Sequence, residues 1–270
     1  MKYLNGSEIA GFIKERQARQ IRSLIQSKGI KPRLDIVMCG NNDASQKYTH
    51  IKQIYGENIG AEVIVHNCQQ VEAVSLIEEL NANTLVTGVI VQLPLPDSSQ
   101  TDEIVNSIKP EKDVDSLATD NKIFDSATAT AIMWLLAGYN IDLNGKKIVI
   151  VGRGKLVGAP LEKIMISSGL NPVVIDEFTE NNDSTMAEAD ILISAVGKPG
   201  IVKAELVKPG AVVVDAGVAS ENGVLKGDVE DSIYQREDLK AITPKMGGVG
   251  PLTVCALFDN LIKSANYLKN

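Results

Sequence analysis

Apolar residues recur along this chain in two alternating rhythms. Between Ser7 and Lys28, Ile9, Phe12, Ile13, Ile21, Leu24 and Ile25 follow the spacing that gathers side chains on one helix face. Leu34 to Cys39 is a short, mainly apolar run closed by Gly40, and it reads as a buried strand. The alternation continues with a helix over Ser45–Asn58, a strand over Glu62–His66, a helix over Val71–Leu80 and a strand over Gly88–Gln92. After Asp115 the pattern pauses, and Ala127 to Ala137 forms an apolar helix. A second series then places strands at Lys147–Val151, Pro172–Ile175, Ile191–Val196 and Ala211–Val214. Pro251 to Leu268 returns to helical spacing at Val254, Leu257, Phe258 and Leu261. Strands separated by helices predict an α/β fold with a mostly parallel sheet covered on both faces. Two domains are expected, with boundaries near Asp120 and Thr243.

Composition narrows the function classes. The 270 residues are 44% hydrophobic and 23% charged, which suits a globular chain and argues against global disorder. With 27 Lys and Arg against 34 Asp and Glu, the net charge is −7. Its long-range field repels phosphate, so no nucleic acid and no anionic membrane is expected as a partner. Any bound phosphate must be held by a local arrangement. No apolar run is long enough for a bilayer span, and no apolar leader follows Met1. Cys39, Cys68 and Cys255 lie far apart in sequence and form no CxxC pair, so reduced thiols and a cytoplasmic location are expected. His50 and His66 have no companion at ligand spacing, and no metal is expected.

The sharpest local signal is Val149-Ile150-Val151-Gly152-Arg153-Gly154-Lys155-Leu156-Val157-Gly158. A β-branched strand runs through glycines into a helix, a turn that can bring backbone N–H groups to a phosphate. Asp176 follows the next strand, with Glu177 beside it, where an acid can hydrogen-bond a ribose diol. A glycine-rich turn without a ligand is the plainer alternative. On the helix over Ser45–Asn58, Ser45, Tyr48 and Lys52 share one face, and a lysine whose pKa burial lowers could move protons. An ordinary solvated lysine would show the same spacing. Val91-Gln92-Leu93-Pro94-Leu95-Pro96 ends a strand in a fixed loop at the carboxyl edge of a sheet, where α/β folds place ligands. Lys112-Asp113-Val114-Asp115 reads in isolation as a solvated turn. Gly247-Gly248-Val249-Gly250 opens the last helix, either facing a ligand or simply turning the chain.

Taken in order, these motifs resemble the bifunctional methylenetetrahydrofolate dehydrogenase/cyclohydrolase family. So do Ala195-Val196-Gly197-Lys198-Pro199-Gly200 and Gly227-Asp228-Val229, and the resemblance spans essentially the whole chain. It implies a catalytic, folate-binding domain from residues 1–120 and 244–270. Residues 121–243 would form a Rossmann-type NAD(P)-binding domain, with the C-terminal helix returning to the first. It also implies oxidation of 5,10-methylenetetrahydrofolate, then hydrolysis to 10-formyltetrahydrofolate, by a homodimer. Lys52 matches the family's proton-transfer lysine, Tyr48 a pterin-stacking ring, Gln92 the amide that tunes the lysine, and Asp115 the pterin anchor. Val91, Leu93 and Gly247, Gly248, Val249 and Gly250 match substrate contacts. Gly152, Arg153, Gly154, Val157, Gly158, Val196, Gly197 and Val218 match cofactor contacts. The chain departs from the pattern at Ser116, where glycine is usual, at Ser126-Ala127-Thr128-Ala129 in place of Pro-Cys-Thr-Pro, and at Lys245-Met246 before the glycines. Family habit implies NADP, whereas Asp176 and Glu177 would repel a 2′-phosphate and favour NAD. Another two-domain dehydrogenase of shikimate or amino-acid type would leave Gln92 and the glycine cluster unexplained. An inactive dinucleotide-binding scaffold would not need Tyr48, Lys52, Gln92 and Asp115 together.

Overall fold

A computed structural model describes residues 1–40, 43–119, 121–221 and 224–268. The chain begins β1 (Lys2–Tyr3), α1 (Gly6–Lys28), β2 (Arg33–Cys39), α2 (Asp43–Ile59), β3 (Glu62–Cys68), α3 (Ala73–Ala82), β4 (Gly88–Val91) and α4 (Thr101–Asn106). It continues α5 (Ala127–Gly138), β5 (Ile148–Val151), α6 (Gly158–Ser167), β6 (Val173–Ile175), α7 (Asn182–Ala187) and β7 (Ile191–Ser194). The last elements are β8 (Val212–Asp215), β9 (Ala219–Glu221), β10 (Val224–Lys226), β11 (Ala241–Ile242) and α8 (Val249–Tyr267). Two compact units result: Met1–Ala10 with Thr128–Thr253, and Gly11–Ala127 with Val254–Asn270.

In the unit built from Gly11–Ala127 and the end of α8, β2 lies between β3 and β4 in a parallel sheet. Leu34 to Cys39 are all buried, as a central parallel strand covered on both faces requires. Val37, Val89 and Val91 pack on Ile77, Leu80 and Ile104 of α3 and α4. The fully buried Asp35 is satisfied by Arg33 through two bonds of 2.8 and 2.7 Å and by His66 Nε2 at 2.6 Å. Cys39 and Cys68, remote in sequence, are register partners whose sulfurs lie 3.8 Å apart as free thiols. Burial first, and Cys68 second, pushes the Cys39 thiol up to about 12. On α8, Phe258 packs on Tyr55 with ring centroids 5.1 Å apart, and Gln17 donates to the Cys255 carbonyl at 2.8 Å.

The other unit carries a parallel sheet in the order β1-β11-β8-β7-β5-β6, with an aliphatic core of Val149, Ile175, Leu192, Val213 and Ile242. β5 and β7 are neighbours although β6 separates them in sequence, so the chain reverses its direction of travel across the sheet at that pair. Ligands of open α/β sheets bind at the carboxyl ends of such a pair.

Three segments depart from the expected division at 120 and 243: the first ten residues and 244–253, which go with the six-stranded sheet, and 121–127, which go with the other unit. For the first ten residues the reason is backbone pairing. β1 runs parallel to β11, and Leu4 N–H donates to the Ile242 carbonyl at 2.8 Å. Two-residue strands carry no readable period.

Candidate functional site

In the unit holding α2 and β4, Lys52 and Gln92 meet. Lys52 Nζ donates to Gln92 Oε1 at 2.8 Å, and Gln92 Nε2 donates to the Leu93 carbonyl at 2.8 Å. The second bond fixes the amide so that its oxygen faces the amine. Desolvation holds the Lys52 pKa below the ordinary lysine value, opposed by the negative charge of Asp115. Burial likewise raises Asp115, opposed by Lys52 and reinforced by Asp113. Tyr48, one turn before Lys52, is half-buried and its phenol is pushed upward by desolvation. Ser45 on the same helix is buried, and its hydroxyl has no hydrogen-bond partner among the described residues.

The loop that presents Asp115 is nailed down on all sides. Lys112 Nζ donates to the carbonyls of Leu80, Asn81 and Asn83 at 3.0, 3.0 and 2.7 Å, closing the C-terminus of α3. Asp113 is 1% exposed and accepts from Ala118 N–H and Asn121 Nδ2, both at 3.0 Å. In isolation, Lys112-Asp113-Val114-Asp115 reads as a solvated turn. The structure corrects it, since Asp113 is a buried anchor and Asp115 the acid left to face Lys52. From α8, Asn260 Nδ2 bridges the carbonyls of Val114 and Asp125 at 3.0 and 2.9 Å.

Ser116 explains why glycine is the family habit there. Its φ is +57°, the left-handed region that costs an L-residue about 1–2 kcal/mol. Its hydroxyl donates to the Phe124 carbonyl at 2.6 Å, which offsets about 1 kcal/mol. Ser116→Gly is therefore expected to leave stability within about 1 kcal/mol, the strain relieved balancing the bond lost. Ser116→Ala keeps the strain and loses the bond, and should be less stable by about 1–2 kcal/mol in urea unfolding. An alanine variant as stable as the glycine variant would refute this.

Other expected substrate contacts divide by position. Val91 is buried in the core, so its side chain faces α3 and α4, and only its main chain borders the Gln92 loop. Leu93 is half-buried beside Gln92. Gly247 to Gly250 lie in the other unit. There Gly247 has φ +83°, and a Cβ on Gly6 would lie 1.9 Å from the Gly248 carbonyl oxygen. Close backbone approach accounts for glycine at 6, and Gly250 is exposed. An open cavity of about 640 Å³ at the carboxyl ends of β2 and β3 is lined by Met38, Gly40, Gln46, Asn67, Cys68, Gln69 and Glu72, apart from the Lys52 group.

Within the six-stranded unit, the glycine turn sits between β5 and α6. Gly152 has φ +96°, and a Cβ there would strike Val196 Cγ2 at 2.9 Å and the Ala195 carbonyl oxygen at 3.0 Å. A Cβ on Gly158 would lie 1.8 Å from the Gly152 oxygen, so only glycine lets α6 start directly over the turn. Gly154 faces open space, bare backbone that a pyrophosphate can approach. Val157 precedes α6 and is half-buried. The turns after β5, β7 and β8 converge: Val196 touches the Gly152 position, and Gly197, at φ +75°, lies against the Val218 carbonyl. Val196 and Val218 are 41% and 56% exposed, apolar side chains on the outside of a turn. This bare cradle fits a dinucleotide. Asp176 Oδ1 accepts from Phe178 N–H at 3.0 Å and Thr179 Oγ1 at 2.9 Å, and Glu177 is exposed. Arg153 donates to Glu162 Oε1 at 2.6 Å, so the guanidinium already has an anionic partner.

Among the described residues no group of three or more His, Cys, Asp or Glu is arranged to hold a metal ion, and no helix is long and apolar enough to cross a membrane.

Comparison with known proteins gives consistent findings. The family described as tetrahydrofolate dehydrogenase/cyclohydrolase matches with its catalytic domain over residues 4–115 and its NAD(P)-binding domain over residues 126–269. Bifunctional protein FolD of Staphylococcus carnosus is 38% identical over 278 residues, 97% of this chain and 95% of that protein. The crystal structure of the bifunctional methylenetetrahydrofolate dehydrogenase/cyclohydrolase FolD from Campylobacter jejuni superposes with a TM-score of 0.91 at 34% identity, covering 99% of each chain. That of the Trypanosoma brucei enzyme, complexed with NADP cofactor and inhibitor, gives 0.90 at 28% identity over 98% of this chain and 97% of that one.

Proposed function

We infer the residue roles below from one premise: the chain belongs to the tetrahydrofolate dehydrogenase/cyclohydrolase family. It oxidises 5,10-methylenetetrahydrofolate with NAD or NADP and hydrolyses the methenyl product to 10-formyltetrahydrofolate. When bound, the nicotinamide supplies the hydride acceptor. Lys52 is the proton-transfer group of the hydrolysis, and the observation that carries this assignment is its 2.8 Å bond to Gln92 beside the charge of Asp115. A lowered pKa gives an amine more of its neutral, proton-accepting form near pH 7. Gln92 steers that amine without adding charge. Asp115 holds the donor nitrogens of the pterin, and Tyr48 stacks beside the ring, with Val91 and Leu93 bordering it. Gly247, Gly248, Val249 and Gly250 are assigned as further substrate contacts by the family match alone. Gly152, Arg153, Gly154, Val157, Gly158, Asp176, Glu177, Val196, Gly197 and Val218 hold the dinucleotide. As functional regions, distinct from the compact units, residues 1–120 with 244–270 serve the folate and residues 121–243 the cofactor. The enzyme is a cytoplasmic homodimer in this reading, and its three free thiols suit a reducing compartment. Two absorbance signals test it with purified protein and methylenetetrahydrofolate: growth of the reduced-nicotinamide band, then decay of the methenyl band. Absence of either removes the corresponding activity.

NAD is expected to serve at least as well as NADP. A 2′-phosphate would face Asp176 and Glu177 and would compete with Glu162 for the Arg153 guanidinium at 2.6 Å. A free 2′-hydroxyl can donate to Asp176 instead. The check is kcat/KM for both dinucleotides in wild type and in Asp176→Ser/Glu177→Arg. The double variant should gain on NADP. A wild type favouring NADP tenfold or more, about 1.4 kcal/mol, would overturn the electrostatic argument.

A further inference from the structure

Two carboxylates in the six-stranded unit lie outside the roles assigned above. Asp228 is fully buried, and its oxygens accept from Ser194 Oγ at 2.7 Å, Val196 N–H at 2.8 Å and Lys198 N–H at 2.7 Å. Asp215, at the end of β8, accepts from Gly217 N–H, Asp228 N–H and Val229 N–H at 3.1, 3.0 and 3.1 Å, and from the Tyr234 hydroxyl at 3.3 Å. Each acid is seated on a glycine of the other's loop. A Cβ on Gly217 would lie 2.0 Å from the Asp228 carboxyl carbon, and one on Gly227 would lie 1.9 Å from Asp215 Oδ2. The arrangement ties three turns at the carboxyl edge of the sheet to each other.

We infer that Asp228 is a positioning residue for dinucleotide binding: by drawing the Val196 and Lys198 N–H groups inward, it sets the turn that carries Val196 and Gly197. The inference rests on the assignment of Val196, Gly197 and Val218 to the cofactor site. Two N–H groups two residues apart on one carboxylate leave little freedom to the residue between them. Gly197 is held at φ +75°, and the Val196 side chain is turned outward. Gly217, buried beside the same carboxylate, leads directly into the exposed Val218. One buried charge therefore fixes both faces of the bracket. A carboxylate is the group for this task, since it accepts from several donors and its charge strengthens each bond. An amide offers one oxygen and turns its NH2 toward another donor.

The test titrates NAD and NADP calorimetrically into Asp228→Asn, Gly217→Ala and Val218→Glu, and measures hydrolysis of the methenyl substrate in each. Hydrolysis transfers no hydride and needs no dinucleotide. Asp228→Asn is expected to weaken both dinucleotides at least tenfold and to leave hydrolysis within twofold. Gly217→Ala, whose backbone accepts alanine, should act the same way by pushing the carboxylate off its donors. Unchanged affinity in either of these folded variants, with Val218→Glu weakened, overturns the inference and leaves the site assignment intact. Unchanged affinity in Val218→Glu overturns the site assignment and the inference with it. Hydrolysis falling in parallel with affinity, or failure of both Asp228→Asn and Gly217→Ala to fold, makes the carboxylate a general folding element and also overturns it.

Discussion

Lys52→Met is expected to cut hydrolysis of methenyltetrahydrofolate by roughly 10²–10⁴-fold, the usual contribution of a positioned acid–base group, while oxidation of the methylene substrate falls less. Methionine matches the length of the lysine stem and is tolerated where burial already disfavours an ammonium. The variant thus removes the amine that Gln92 holds at 2.8 Å without opening a cavity. Hydride transfer moves no proton through Lys52, whereas attack of water on the methenyl carbon requires one to leave. Because burial lowers the Lys52 pKa and the base acts as the neutral amine, wild-type hydrolysis should rise with pH through a midpoint below the ordinary lysine value. That rise should vanish in Lys52→Met. Turnover within threefold of wild type, with the same pH profile, would remove Lys52 from the mechanism.

The two activities were unequally legible in the sequence. The glycine turn could be placed from spacing because each glycine answers a local steric demand: Gly152 a left-handed φ, Gly154 bare backbone, Gly158 contact with the preceding turn. The helix face joining Tyr48 and Lys52 followed from a four-residue step on α2. Gln92 and Asp115 were different. The strand end alone places the loop carrying Gln92 at a ligand-facing sheet edge. The roles of both residues rest on a family resemblance, because an amide after a strand and an acid on a loop carry no chemistry until Lys52 lies opposite them. The anchoring role of Asp113 is hidden from sequence for the same reason. Its partners, Asn121 and two backbone N–H groups, lie beyond the Val114-Asp115 step. Asp228 sat inside a recognised motif without a role, since it reaches donors 30 to 34 residues away. Long-range carboxylate anchors leave no period and no spacing. β1 and β11, at two residues each, leave none either.

Asp115→Ala is expected to weaken folate binding ten- to a hundredfold and to leave NAD and NADP affinity within about twofold. The proposed partners of Asp115 are donor nitrogens of the pterin, and a buried donor without its acceptor costs about 1–3 kcal/mol. The residues proposed for the dinucleotide all lie in the other compact unit. The loop should survive the change, since Lys112, Asp113 and Asn260 anchor it independently of Asp115. A second readout separates the electrostatic role from simple loss of a contact. Asp115 raises the Lys52 pKa against desolvation, so removing its charge lets that pKa fall further. At saturating folate, the rise of hydrolysis with pH should therefore shift to lower pH in Asp115→Ala, even as KM climbs. Equal weakening of both ligands would give this loop a folding role instead, and a profile that stays in place would uncouple Asp115 from the lysine.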